Sequence, residues 1–393
     1  MDRYIINTPE GTKDSLFCEC QDRRKMEGAI TRLFSSLGYS EIITPEIEYY
    51  DLFTASGYPL PQETLVKIID RSGKILVMRP DCTTPIARVA ATKLKNTDFP
   101  QRFYYNQTVF RSNVAHAGSN AEVVQCGIEL LGAAGLKADV EVLVLAIEAI
   151  KACGINNFYI EIGHTGFFKA LAKELDAPPE TIELMRSYIE QKNFDALKVL
   201  LKPFADKPSF DALNKISHLF GGEEILAEAQ ELTNDLCASQ ALDYLKNIYN
   251  ELLAAGHQDK IRFDLGLVQQ INYYTGMVFC GYIESAGSIV LTGGRYDKLI
   301  ETFGKPVPAT GFAIDILAVL SCLPVSSLPK LESIIHYSFG SLAQALSYVA
   351  SHAPGTCEIS PCLDLAGSKK LAKKKGACRV VILDKENETE VKL

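Results

Sequence analysis

The sequence predicts an α+β protein in which a mixed sheet is interrupted by helices, and three features indicate this class. Short β-branched and aromatic runs alternate with amphipathic helical segments as far as Ile162. From Phe167 to about Ala255, leucine and alanine recur at helical spacing with almost no strand pattern, which predicts a helical insertion. After a linker at residues 324–329, strands and helices alternate again and predict a small α/β domain. We therefore expect two domains, residues 1–323 and 324–393.

The elements before the insertion follow from periodicity and from turn residues. Met26, Ile30 and Phe34 recur at helical spacing and predict a helix that stops at Gly38. Pro45 restricts the apolar segment around it to an edge strand or a strand end. Apolar runs around a polar turn predict a hairpin of residues 64–69 and 75–78. Alternating apolar residues predict antiparallel strands at 101–111 and 122–131. We also predict helices at 85–94 and 140–153 and a strand at 158–162.

Beyond the insertion, a strand pattern resumes at Ile261 and continues through Phe279. The next predictions are a strand at 288–291, a turn at 293–297 and a helix at 311–320. In the second domain, the patterns predict strands at 333–337 and 379–383 and helices at 342–352 and 368–375, with a further strand between the helices. The lysines of the last helix are expected on a solvated helix end.

Composition excludes several classes of protein. The formal net charge of −8 and the pI near 5.4 argue against a general polyanion binder, because such proteins replace counterions with lysine and arginine. The eleven cysteines are scattered and contain no Cys-x-x-Cys pair, which favours reduced thiols over a metal site or a disulfide framework. The N-terminus has no signal-peptide pattern and no apolar run is long enough to span a bilayer, so we expect a cytoplasmic protein.

One stretch, Leu267 to Phe279, has the composition of a ligand-pocket floor. It contains adjacent tyrosines at Tyr273 and Tyr274, followed by Gly276. The amides Gln269, Gln270 and Asn272 precede them. These side chains can recognise a small polar molecule, and none of them carries charge.

Seven short motifs, in order and spacing, resemble the catalytic domain of class II histidyl-tRNA synthetases over about residues 5–320. They are Gly11-Thr-Lys-Asp14, Met78-Arg-Pro-Asp-Cys-Thr83, Val109-Phe-Arg111, Gln125-Cys-Gly-Ile-Glu129, Asn272-Tyr-Tyr-Thr-Gly276, Gly293-Gly-Arg-Tyr-Asp297 and Ala309-Thr-Gly-Phe-Ala313. The resemblance implies an antiparallel sheet flanked by helices and a dimer formed through the first motif of the family.

The same resemblance implies a histidine pocket. Asp81, Thr83 and Gln125 would hold the α-amino group, and Glu129, Tyr273 and Tyr274 would surround the imidazole; Arg111 matches an arginine that binds the α-phosphate of ATP. Carboxylate, amide and phenol groups suit these partners. Simpler explanations remain open. Glu129 could pair with an arginine, and Arg111 could lie on the surface. We expect Tyr273 and Tyr274 to alternate faces of a strand, so at least one of them could be core packing.

The departures from the family bear on catalysis. Gln269 stands where the family has an arginine that binds the amino-acid carboxylate and the α-phosphate, and Ala318 stands where it has an arginine that binds the γ-phosphate. Val123 replaces the aromatic residue that stacks on adenine, and Ala121 replaces a further arginine of the same strand. The loop of residues 112–118 also lacks the charged residues expected to meet tRNA. Each lost donor costs about 3 to 4 kcal/mol of transition-state stabilisation, so we predict no adenylation activity.

A synthetase-like chain without these arginines resembles a family of regulatory subunits that assemble with short-form ATP phosphoribosyltransferase. The resemblance implies a hetero-octamer with the catalytic subunit, self-association as a dimer, free histidine as a feedback signal, no tRNA partner, and no catalytic residue, cofactor or metal of its own. Two alternatives stay open: an active histidyl-tRNA synthetase or related AMP-forming ligase, and a synthetase-like module for RNA or stress sensing.

Overall fold

The computed structural model describes residues 6–54, 59–112, 121–268, 273–384 and 387–393. Its helices are α1 Cys18–Ser36, α2 Asp51–Thr54, α3 Thr83–Thr92, α4 Leu136–Ala152, α5 Thr165–Leu175, α6 Pro179–Glu190, α7 Phe194–Leu201, α8 Phe210–Asn214, α9 Glu224–Glu231, α10 Leu236–Ala254, α11 Ile316–Ser321, α12 Leu342–Ala350 and α13 Leu365–Lys375. Short 3₁₀ turns lie at Gln62–Thr64, Lys202–Phe204, Ile216–His218, Gln258–Lys260 and Ile300–Phe303.

The strands are β1 Ser40–Glu41, β2 Ile47–Tyr49, β3 Lys67–Ile69, β4 Ile75–Met78, β5 Gln101–Phe110, β6 Glu122–Leu131, β7 Phe158–His164, β8 Phe220–Gly221, β9 Ile261–Asp264, β10 Met277–Ile283, β11 Ile289–Arg295, β12 Ala309–Asp315, β13 Ser333–Tyr337, β14 Cys357–Ile359, β15 Arg379–Asp384 and β16 Asn387–Lys392. Two compact units form: one from the described residues of Met1–Asp14 and Asp22–Pro324, the other from Ser15–Gln21 and Val325–Leu393.

A large sheet dominates the first unit. Within the described ranges it has nine strands in the order β1-β5-β6-β12-β11-β10-β7-β9-β8. The central pairings from β5 to β7 are antiparallel, whereas β1 with β5 and β7 with β9 are parallel. The predicted antiparallel strands β5 and β6 are confirmed by a register that runs from Gln101 opposite Leu131 to Phe110 opposite Glu122.

The two faces of this sheet have different roles, because successive side chains of a strand point to opposite faces. One face carries Val124, Cys126, Ile128 and Leu130 of β6, which are buried in a core with α1, α4 and the helices of residues 165–254. The opposite face carries the other residues of β6, among them Gln125 and Glu129. It is covered by α3 together with the segments that follow β9 and β11.

A small sheet of β2, β4 and β3 confirms the predicted hairpin, with Ile69 opposite Ile75. Val77 is buried with Phe53 and Leu65 on one of its faces. The register places Ile47, Tyr49, Ile68, Leu76 and Met78 on the other face, where Ile47 and Tyr49 are about half exposed, at 48% and 57%. The second face of the small sheet is therefore apolar and accessible in the single chain.

The second unit contains a four-stranded sheet, among the described residues, in the order β14-β13-β15-β16. β13 pairs in parallel with β14 and β15, and β16 closes the edge in the antiparallel direction. Helices α12 and α13 connect the parallel strands, so the predicted α/β pattern is confirmed. The edge strand β16 was not predicted, because its polar, exposed sequence lacks an apolar alternation.

Several local predictions were wrong. The helix predicted at 311–320 is strand β12 followed by the six-residue helix α11, because a short apolar run does not distinguish a buried strand from a helix. The turn predicted at 293–297 begins inside β11, which continues to Arg295. The two-residue strand Phe220–Gly221 pairs with β9 within the segment expected to be helical.

Candidate functional site

The site lies on the face of the large sheet that α3 covers, at a cross-strand row in which two of the four residues are glycines. Phe103 of β5 lies opposite Glu129, Glu129 lies opposite Gly311, and Gly311 lies opposite Gly294. Residues opposite one another in antiparallel strands share a face. The two glycines thus leave a recess beside the Glu129 carboxyl group.

Neither glycine tolerates a side chain here. A Cβ on Gly311 would lie 2.1 Å from Glu129 Oε2 and 2.3 Å from the Ile128 carbonyl oxygen. A Cβ on Gly294 would lie 2.8 Å from the Tyr274 ring. Both glycines are therefore needed for the Glu129 carboxyl group and the Tyr274 ring to approach the sheet this closely.

Glu129 is the central acidic group of this face and is only 1% exposed. Thr83 Oγ1 donates a hydrogen bond to Glu129 Oε1 at 2.7 Å, and the Tyr296 hydroxyl donates to Oε2. Burial raises the pKa of Glu129 to about 8, the two hydrogen bonds oppose this increase, and the neighbouring Asp81 adds to it. The structure thus places a buried carboxyl group between two hydroxyl donors, and no arginine of the described ranges forms an ion pair with it.

Three tyrosines line the same recess. Tyr273 stacks on Tyr296 with ring centroids 5.4 Å apart, and it meets Tyr274 edge-on at 4.9 Å. Burial raises the pKa of all three phenols, and the charge of Glu129 raises it further. Neutral phenols of this kind donate and accept hydrogen bonds in a water-poor pocket. We call Thr83, Glu129, Tyr273, Tyr274 and Tyr296 the Glu129 site.

Asp81 and Arg111 lie at the charged end of this face. Asp81 accepts hydrogen bonds from the Thr84 backbone N–H at 2.7 Å and the Thr84 hydroxyl at 3.2 Å. Burial raises the pKa of Asp81, and the positive charge of Arg111 opposes that increase. Arg111 Nε donates to the Pro80 carbonyl oxygen at 2.9 Å, so its guanidinium is held beside the segment that carries Asp81.

A buried ion pair supports the strand that leads to Tyr296. Arg295 Nη2 lies 2.7 Å from Asp139 Oδ1, and Arg295 Nη1 lies 2.9 Å from Asp297 Oδ1. The Tyr244 hydroxyl donates to Asp139 Oδ2 at 2.7 Å. Since Thr275 donates its backbone N–H to the Arg295 carbonyl oxygen at 2.7 Å, the same strand end also holds the segment after the tyrosine pair. The network positions the Glu129 site without entering it.

The structure brings most of the predicted residues together. One recess is surrounded by Thr83, Glu129, Tyr273 and Tyr274. Its charged end is formed by Asp81 and Arg111. On the same face, Gln125 lies opposite Gln107 and Asp315. Their roles toward histidine stay predictions. The arginine partner considered for Glu129 is replaced by two hydroxyls, and the tyrosine pair precedes β10 and does not alternate along a strand.

Tyr296 is the site residue that the motifs did not single out. It lies inside the Gly293–Asp297 motif, which was interpreted as a turn, so its contact with Glu129 was not foreseen. The strand alternation of β11 was the signal that could have placed it on this face. Gln269, Gln270 and Asn272, and most of the loop of residues 112–118, lie outside the described residues.

The site combines hydroxyl and amide groups with the carboxyl groups of Asp81 and Glu129 and the guanidinium of Arg111, and such groups suit recognition of a small polar ligand. In the part of the chain that the structure describes, no group of three or more His, Cys, Asp or Glu side chains is arranged to hold a metal ion. All eleven cysteines are free thiols. No helix within the described ranges is both long and apolar enough to cross a membrane.

Comparison with known proteins defines the class. The histidyl-tRNA synthetase family model matches residues 11–319. A histidyl-tRNA synthetase from Nostoc has the same fold, with a TM-score of 0.77 and 20% identity over 98% of this chain and 97% of that chain. The predicted α+β, class II synthetase-like fold is confirmed, and the chain is a histidyl-tRNA synthetase-like protein.

The nearer relatives share one name. The ATP phosphoribosyltransferase regulatory subunit of Clostridium acetobutylicum is 41% identical over 82% of this chain and 79% of its own length, and that of Clostridium novyi is 35% identical over 98% and 93%. A solved ATP phosphoribosyltransferase regulatory subunit/histidyl-tRNA synthetase from Bacillus halodurans superposes with a TM-score of 0.85 at 28% identity, covering 98% of this chain and 99% of that one. The chain belongs to the family of ATP phosphoribosyltransferase regulatory subunits, which confirms the predicted regulatory, non-catalytic class.

Proposed function

We propose that this chain activates a short-form ATP phosphoribosyltransferase catalytic subunit and transmits feedback inhibition by histidine at the first step of histidine biosynthesis. The names of its relatives support the regulatory role. The Glu129 site supports the histidine signal and is the observation that carries the proposal. Free thiols on all eleven cysteines support a cytoplasmic location, where thiols stay reduced.

Histidine complements the groups of the Glu129 site. An imidazole N–H can donate to the Glu129 carboxyl group, and the phenols of Tyr273 and Tyr274 supply an aromatic wall. The α-ammonium group suits Asp81, Thr83 and Gln125, which offer carboxylate, hydroxyl and amide oxygens. A ligand held in this way requires no reaction of its own, which is consistent with a sensor.

Regulation requires that histidine binds the active and inhibited assemblies with different affinities, because a ligand of equal affinity shifts no equilibrium. The proposed assembly is a hetero-octamer with the catalytic subunit, built on dimers of this chain. The accessible apolar face of the β2-β4-β3 sheet supports self-association, since a face of this kind is stabilised by burial. The net charge of −8 supports an assembly without tRNA.

Two assays on the purified chain test the proposal. The chain alone should show no histidine-dependent exchange of pyrophosphate into ATP. Mixed with a short-form catalytic subunit, it should raise the rate of phosphoribosyl transfer from phosphoribosyl pyrophosphate to ATP, and histidine should suppress that gain. Exchange well above background would favour an active synthetase, and failure to raise the transfer rate would overturn the regulatory role.

A further inference from the structure

Residues 274–276, which we call the connecting segment, join the tyrosine pair to β10. Strand β11 and the turn after it hold this segment through its middle residue. The Thr275 backbone N–H donates to the Arg295 carbonyl oxygen at 2.7 Å, and the Thr275 hydroxyl donates to the same oxygen at 3.3 Å. The Asp297 backbone N–H in turn donates to Thr275 Oγ1 at 3.0 Å. One side of the connecting segment is therefore bound to the large sheet.

Helix α5, the first helix of the insertion, binds the two carbonyl oxygens that flank this middle N–H group. Lys169 Nζ donates to the Tyr274 carbonyl oxygen at 3.2 Å, and the Thr165 backbone N–H donates to the Gly276 carbonyl oxygen at 3.0 Å. The Tyr274 carbonyl and the Thr275 N–H belong to one trans peptide unit, so they point in opposite directions. The connecting segment therefore lies between α5 and β11.

The start of α5 is held by the same network that supports β11. His164 Nδ1 accepts the Gly166 backbone N–H at 3.1 Å, and the His164 ring meets the Tyr244 ring of α10 edge-on, with centroids 5.6 Å apart. The Tyr244 hydroxyl donates to Asp139, which forms the ion pair with Arg295. The contacts of α5 thus lead back to the arginine whose carbonyl oxygen binds the connecting segment, and they form a closed ring.

Tyr274 links the position of the connecting segment to the Glu129 site. Its ring packs so closely over Gly294 that a Cβ there would lie 2.8 Å from it, and it meets Tyr273 edge-on at 4.9 Å. Because the ring is packed this closely, a shift of the Tyr274 backbone displaces the ring within the site. The hydrogen bond from Lys169 acts on that backbone directly.

We propose that Lys169 is a positioning residue, which holds the Tyr274 backbone in place and lets the helical insertion set how tightly the Glu129 site binds its ligand. The effect on affinity rests on the proposed function, in which that ligand is histidine. Coupling between two binding events is reciprocal. A partner that moves α5 therefore changes histidine binding, and histidine changes the affinity of the chain for that partner.

Two other roles of Lys169 predict different results. If Lys169 only stabilises the fold, its loss lowers the free energy of unfolding but leaves the local motion of the connecting segment and the affinity for histidine unchanged. If it acts only through its charge on the histidine carboxylate, the effect of its loss largely disappears at about 1 M salt, where the Debye length is about 3 Å. A positioning role predicts local motion and an affinity loss that persists in salt.

The first test is hydrogen exchange of the free chain, measured by mass spectrometry. Lys169→Met should speed exchange of the Thr275 amide about fivefold and leave the amides of β5 and β6 unchanged, whereas Lys169→Arg, which keeps a donor, should behave as the wild type. Lys260→Met is the matched control, because Lys260 Nζ donates to another backbone carbonyl oxygen, that of Asn156, at 3.0 Å. Unchanged exchange at Thr275 in Lys169→Met would overturn the proposal.

The second test is calorimetric titration of the same proteins with histidine. Lys169→Met should bind histidine about fivefold more weakly than the wild type, equivalent to about 1 kcal/mol, at both low and high salt. Lys169→Arg and Lys260→Met should keep the wild-type affinity. Equal affinity in Lys169→Met, or a deficit that high salt removes, would contradict the positioning role. If the wild type binds no histidine, the proposed sensor function fails, and the exchange measurement alone decides whether Lys169 positions Tyr274.

Discussion

Thr83 Oγ1 donates a 2.7 Å hydrogen bond to Glu129 Oε1 and so joins the first residue of α3 to the middle of β6. The Glu129 carboxyl group is shielded from water, and its other oxygen accepts a hydrogen bond from the Tyr296 hydroxyl. A buried carboxyl group that is held by hydroxyls alone keeps its capacity to accept from a ligand. The proposed histidine signal is therefore tested first at Glu129.

Glu129→Gln should weaken feedback inhibition. The substitution replaces a carboxyl oxygen by an N–H donor and so leaves a buried hydrogen-bonding group unpaired, which costs about 1–3 kcal/mol; we therefore expect the histidine concentration for half-inhibition to rise about tenfold. The measurement is an inhibition curve of the reconstituted complex, with activation in the absence of histidine as the reference. Glu161→Gln is the control, since it changes a buried carboxyl group on the same face that pairs with Tyr282. Unchanged inhibition in Glu129→Gln would place the effector site elsewhere.

The stability of the chain should depend on pH through Glu129. Its pKa is about 8 in the folded state and 4.5 in the reference state, so the folded chain binds the extra proton. The resulting contribution of Glu129 to the free energy of unfolding is fully present below about pH 4.5 and is lost as the pH rises through 8. Lowering the pH from about 8.5 to about 6 should stabilise the wild type over Glu129→Gln by on the order of 2 kcal/mol, measured by urea unfolding. Parallel pH profiles for the two proteins would contradict this.

Arg295→Ala should be severely destabilising, because it leaves the buried Asp139 carboxyl group without its charged partner. Removing one member of a buried ion pair typically costs about 3–5 kcal/mol. Arg379→Ala breaks an ion pair with Glu390 that is partly exposed, and it should cost less than about 1 kcal/mol. Denaturant unfolding of both variants measures the difference. Equal losses would show that the Arg295 network does not hold the first unit together.

Gly311→Ala should disturb both the sheet and the Glu129 site. The added methyl group meets the Ile128 carbonyl oxygen at 2.3 Å, and backbone cannot move away without cost, so we expect about 1–3 kcal/mol of destabilisation. Gly28→Ala is the control: on α1 its Cβ meets only the end of the Arg32 side chain at 3.2 Å, and helix propensity favours alanine. Gly311→Ala should lower the midpoint of thermal unfolding, whereas Gly28→Ala should not. A Gly311→Ala protein as stable as the wild type would show that the site can accommodate the added methyl group.

The proposed dimer should depend on the apolar face of the β2-β4-β3 sheet. The double substitution Ile47→Lys with Tyr49→Lys places charges on that face and should shift the purified chain to monomer. Light scattering after size exclusion measures the mass. Val199→Lys is the control, since Val199 is also apolar and is 63% exposed, but lies on α7. If the double variant keeps the wild-type mass, self-association belongs to another surface.

Local patterns were sufficient for elements whose partners are near in the chain. The β3–β4 hairpin, the β5–β6 pair and the helix through Met26 and Ile30 were all predicted, because turn residues and apolar periods act over a few positions. The helix predicted at 311–320 was wrong, because Gly311 belongs to a central strand whose neighbours are β6 and β11. Nothing in that short apolar run encodes those neighbours.

The sequence by itself determined the α+β class, the synthetase-like motifs, the acidic charge and the candidate residues of the Glu129 site. Only the tertiary structure decided which of them meet: Tyr296 reaches Glu129 across 167 residues of chain, and Arg295 reaches Asp139 across 156. Contacts of this separation depend on strand order and register, because these bring distant residues onto one face.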